Sequence, residues 1–269
     1  MRRLLMRLVM YVLTVALLII GSALSTDARN VEDKGLILYF SFDEAKGGNL
    51  VDGTGGGNDG EIVDGAKIVK DEVVYGSGAM LFAKGADSVQ VDSFKELEDY
   101  TDNTYLFWLN FTDPNSGGWD QIIAKKAPGS DRSPGIWTCN RVPLHIHYRF
   151  NPGNAGTHCA GPDGENDTFD ENKWYHIAGV KDGAELKFYV DGKEVVKIAV
   201  PKDHAQGAEK LYIGRTGYNA AKFYIDDLYV YDRALNDKEV VSVMDGELLP
   251  VEPGDKVSTT WGQLKKNRD

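Results

Sequence analysis

The chain has 269 residues, with 41 acidic against 30 basic side chains and a formal net charge of −11. That balance excludes a broad basic face for nucleic acid or anionic lipid, since no surplus of Lys and Arg exists to neutralise phosphates. Thirty glycines, thirteen tyrosines and no long amphipathic helical pattern exclude an all-α fold and predict one all-β domain, large enough to bury its own core.

Arg2, Arg3 and Arg7 precede an uncharged run from Leu8 to Thr26 that ends in small residues at Ala23-Leu24-Ser25. This reads as a signal peptide over 1–25, with a retained N-terminal anchor as the alternative. Either places the rest outside the cytoplasm, secreted, periplasmic or on the cell surface, and after cleavage no membrane contact is expected. The remainder holds 27 basic and 41 acidic residues, about −14. Leu36 to Glu44 precedes a glycine-rich loop from Asp52 to Gly60. Strands follow at Val89–Val91, Tyr105–Phe111, Gln121–Lys125, Ile136–Cys139 and Leu144–Phe150. The turn-rich stretch from Pro128 to Asn172 is the kind of loop region that carries binding residues on a rigid scaffold. Lys187–Val190 and Lys193–Val196 flank Asp191-Gly192, a two-residue hairpin signal. Ile225–Tyr231 reads as a closing strand, and Asn236 with Glu239 as the capping box of a short C-terminal helix. The domain spans 35–246, followed by a linker and tail over 247–269.

These segments resemble a laminin-G-like, concanavalin A-like jelly roll of the pentraxin-related kind found in bacterial exported proteins. The resemblance rests on Trp174-Tyr175-His176-Ile177-Ala178, Leu186–Lys193, Ile213-Gly214-Arg215, Ile225–Leu235, the Asp52–Gly60 loop and Tyr75–Phe82. It implies an antiparallel two-sheet sandwich. By position it also implies a structural calcium ion shared by Asp52 and Asp226, with Asn58 as a further oxygen ligand. Gly53 and Gly56 depart from the family's loop pattern. The alternative is that Asp52 and Asn58 only stabilise turns and Asp226 faces water.

Cys139 and Cys159, an even pair in an exported chain, predict a disulfide, with free thiols as the alternative. Strand alternation puts His145, His147 and Arg149 on one face and Ile146, Tyr148 and Phe150 on the other. The histidines suit a polar face for sugar or peptide, a solvated face, or a zinc site needing a third ligand such as His158, His176 or His204. Trp119, Trp137, Asn140, Asn151 and Asn154, with Tyr148 and Arg149, supply rings and planar polar groups for sugar recognition. Trp108 and Trp174 are expected in the core. No E-x-D-x-x-E carboxylate pattern, nucleophile elbow or nucleotide fingerprint occurs. The expected function is a non-catalytic recognition or adhesion domain for carbohydrate or an extracellular protein. A purely structural surface domain and a glycosidase- or lyase-related enzyme are the alternatives.

Overall fold

The structure is a computed structural model and describes residues 34–113, 117–126, 132–150, 159–203 and 207–247. The expected signal peptide, the tail beyond 247, and Asn151, Asn154, His158 and His204 lie outside those residues. Two antiparallel sheets face each other, a jelly-roll sandwich. The first runs in the order β15 (Lys193–Ala199), β14 (Glu185–Val190), β13 (Trp174–Asp182), β8 (Asn103–Phe111), β17 (Phe223–Tyr231), β6 (Ala79–Phe82) and β5 (Lys67–Val69). β1 (Leu36–Phe40) pairs with β17 as well, so the opening and closing strands are neighbours. The second sheet is ordered β12 (Cys159–Ala160), β11 (Val142–Arg149), β10 (Gly135–Cys139), β9 (Gln121–Lys125), β16 (Leu211–Gly214), β7 (Ser88–Val91), β4 (Gly60–Val63), β3 (Asn49–Leu50) and β2 (Ala45–Lys46). Two short helices, α1 (Lys95–Asp99) and α2 (Asp237–Met244), complete the described elements.

Period-two patterning builds the core between the sheets. Tyr105, Phe107, Leu109 and Phe111 of β8, Tyr175 and Ile177 of β13, and Ile146 and Tyr148 of β11, with Phe150 just beyond it, all join one hydrophobic cluster. Gly179 of β13 stands where a Cβ would enter the Tyr148 ring of the facing sheet, so glycine sets the close approach there. The two-residue turn after β14 has positive φ at both Asp191 and Gly192, as a type I′ hairpin requires. At α2 the Asn236 side chain accepts from the Lys238 and Glu239 amides while Glu239 returns a bond to the Asn236 amide.

Trp108 and Trp174 depart from expectation. Each is only half-buried, because alternation in β8 and β13 turns them to the outer face of the first sheet, away from the core. There Trp108 meets Tyr75 and His176 edge-on, and Trp174 lies against Tyr224.

In β17 the apolar phase slips by one residue. Phe223 and Ile225 point into the core, then Leu228 and Val230 do, with a bulge between Asp226 and Tyr229. Asp227 sits there at φ +46, and the extra residue turns two consecutive aspartates away from the core.

Candidate binding face on the nine-stranded sheet

The outer face of the second sheet carries a line of polar and aromatic side chains. Strand register puts Cys159, His147, Trp137 and Gln121 side by side across β12, β11, β10 and β9. The next line runs Arg149, Gly135, Ala124, Tyr212, Gln90 and Glu61. Loops add rings at two ends. Trp119 lies on His147 with ring centres 4.5 Å apart, and Tyr218 meets Trp137 edge-on at 6.0 Å. Trp119 and Tyr218 are each 37% exposed, whereas Trp137 is 2% exposed. Trp137, expected at the ligand surface, therefore underlies the strip, where it meets His147 and the outer ring of Tyr218. Asn140 is exposed at the turn joining β10 and β11.

The predicted disulfide is formed. Cys139 and Cys159 are bonded with Cα atoms 6.0 Å apart, tying β10 to β12 across β11. His147 Nδ1 and the two sulfurs lie within 4.8 Å of one another, but the cysteines are spent on each other and cannot serve a metal. His176 cannot be a third zinc ligand for His145 and His147. It belongs to the first sheet, where it is buried against Trp108, and burial pushes its imidazole down to about 3.

His145, His147 and Arg149 share the outer face, yet all three are buried. Arg149 donates from Nη2 to His147 Nδ1 at 2.9 Å. A guanidinium can only donate, so Nδ1 accepts and the neutral ring carries its proton on Nε2. Burial first, then the charges of Arg149 and Arg132, push His147 down to about 3. Burial and the charge of Arg132 likewise push Arg149 down to about 10. The Arg132 guanidinium stands over Trp137, 5.3 Å from the ring centre. Arg132 and Tyr218 lie in loops without periodic pattern, and sequence reasoning passed over both.

The expected calcium ligands divide between two places: Asp52 and Asn58 hold one loop together, while Asp226 caps the Val74–Tyr75 amides. Asp52 accepts from the Tyr39 amide at 3.3 Å, the Thr54 amide at 3.0 Å and hydroxyl at 2.8 Å, and the Asn58 amide at 3.2 Å. It thereby pins its own loop to β1. Asp226 accepts from the Val74 and Tyr75 amides at 2.8 and 3.1 Å and from the Asp227 amide at 3.0 Å. The carboxylates whose charge acts on Asp226 are Asp227 and Asp43, not Asp52. Asp43 also receives the Ser77 amide. Asp227 accepts from the Tyr39 hydroxyl at 2.8 Å through Oδ1, while its buried Oδ2 has no partner. Burial, then the neighbouring carboxylates, raises Asp226 well above the ordinary range; burial does the same for Asp227, where Asp43 adds to it.

The model of the concanavalin A-like lectin/glucanases superfamily matches residues 83–241. The chain belongs to this family. No curated protein matches it at a significant level. Among solved structures, this chain is similar to the binding domain of botulinum neurotoxin serotype D, with TM-score 0.62 and 14% identity over 82% of this chain and 54% of that one. The binding domain of Paraclostridial Mosquitocidal Protein 1 gives TM-score 0.62 and 14% identity over 79% and 52%. The serotype D ligand binding domain in complex with N-acetylneuraminic acid gives 0.61 and 15% over 80% and 52%. The chain thus spans about half the length of these structures, and the likeness is one of fold.

Proposed function

We propose that this lectin-like chain is an exported recognition domain that binds carbohydrate on the outer face of its nine-stranded sheet. The observation that carries the reading is the strip Trp119–His147–Trp137–Tyr218, with an exposed ring at each end and buried polar groups between. Apolar sugar faces stack on such rings, while fixed donors and acceptors orient hydroxyls. The similarity to a toxin domain solved with N-acetylneuraminic acid is consistent with it. A glycan array followed by titration of the best ligand is the test. Trp119→Ala is expected to weaken binding at least tenfold with little change in melting temperature, since the ring is partly exposed. An array on which no glycan binds, or a Trp119→Ala protein with unchanged affinity, would count against it.

The expected calcium ion belongs to the same proposal, moved from the Asp52 loop to the β17 bulge. Asp226, Asp227 and Asp43 offer hard oxygens of the type calcium selects, and Asp227 Oδ2 is a buried acceptor without a donor. Calcium would supply a counter-charge there. Millimolar calcium should raise the melting temperature above that in EDTA, and Asp226→Asn should abolish the gain. Identical melting with and without calcium would remove the ion from the proposal.

A further inference from the structure

The buried polar groups of the binding face offer donors without matching acceptors. Arg149 is 1% exposed, and its Nε has no hydrogen-bond partner. Among the described residues its other nitrogens reach the Tyr148 carbonyl at 3.4 Å and His147 Nδ1 at 2.9 Å. The indole Nε1 of Trp137, diagonal to Arg149 across β10 and β11, is also buried and unpartnered. Both orphan atoms are obligate donors. The charge that acts on Arg149 is that of Arg132, so like faces like where a counter-charge is needed. An uncompensated buried cation is strongly destabilising, and a guanidinium fork matches the two oxygens of a carboxylate or sulfate. Arg132 is half-buried and stands over Trp137, so it is the more exposed of the two guanidinium groups. The chain's net charge of −11 does not draw anions in from solution, so the attraction is local to this cluster.

We propose that Arg132, backed by Arg149, Trp137 and His147, binds the anionic substituent, carboxylate or sulfate, of an acidic sugar whose ring stacks on Trp119. This deepens the carbohydrate reading above and rests on it. Arg132 makes the contact, and Arg149 acts from beneath as a positioning residue that also fixes the His147 tautomer.

The test titrates the full chain with sialyllactose, its methyl ester, lactose, a glucuronate-terminated oligosaccharide and a sulfated one. The ester removes the charge without altering the protein, so the result does not depend on a variant folding. Sialyllactose or the glucuronate should bind at least tenfold more tightly than the ester and lactose. If only the sulfated sugar gains, the anion is sulfate. Arg132→Gln should erase the preference for charge while leaving the weaker binding of neutral sugar, whereas Trp119→Ala should weaken both. Equal affinity for acid and ester, with no gain from sulfate, overturns the anion proposal and leaves carbohydrate recognition standing. So does an Arg132→Gln protein that keeps the preference. Failure of every sugar to bind overturns both.

Discussion

Asp226 and Asp227 turn a local strand irregularity into a dependence on pH. Both are buried and both titrate above their unfolded range, so the native state holds protons that the unfolded chain releases above a pH of about 4. The native state is the one that binds more protons there, and its stability falls as pH rises from that range through the raised values. Buried His147 and His176, each pushed down to about 3, contribute the opposite slope below their unfolded value of about 6.5. The comparison with Asp226→Asn isolates the aspartate part. In EDTA the variant should gain in melting temperature over the wild type as pH rises from 5 to 8, and calcium should reverse the order; parallel profiles would show that the pair does not titrate as argued. Part of this was legible beforehand. Asp226 stood out in the closing-strand motif, but Asp227 did not, because simple alternation predicts one acid inward and one outward. The slip from Ile225 to Leu228 in the apolar phase was the available signal for the bulge. Arg132 and Tyr218 had no comparable signal, since loop residues are brought to a site by tertiary structure alone.

At the scale of elements, the longer strands, the hairpin turn and the capping box could be read from patterns among sequence neighbours, whereas the short strands β2 to β5 and β12 could not; the disulfide was read from an even cysteine pair in a chain expected to be exported. The outward placement of Trp108 and Trp174 could not. A ring in an apolar strand suits either face, and the choice depends on what covers the outside: here Tyr75 for Trp108 and Tyr224 for Trp174. The Cys139–Cys159 bond closes a loop with a sequence separation of 20 and brackets the strand that carries His145, His147 and Arg149. Loop closure of that length is worth about 3 kcal/mol in the chain-entropy account. Replacing both cysteines by alanine should therefore lower unfolding free energy by roughly that amount in urea titrations. It should also weaken ligand binding, because Cys159 lies directly beside His147 in the sheet. Unchanged affinity in a destabilised double variant would confine the bond to a structural role.

For the whole molecule, β17 is the strand on which the first sheet depends. It is bordered by β8 on one side and by β6 and then β1 on the other. A chain ending before Phe223 loses the partner of all three, and should show no cooperative thermal transition by circular dichroism; a sharp melt would mean the sheet can close without it. The pairing of Leu36 with Tyr231 and of Phe40 with Leu228 carries a further consequence, for time rather than for energy. Among the described strands, the first to be made has to wait for the last. Contacts so distant along the chain make folding slow, and during synthesis no earlier segment can complete the first sheet. The first sheet therefore stays open until β17 has been made, and β1 spends that interval without its partner.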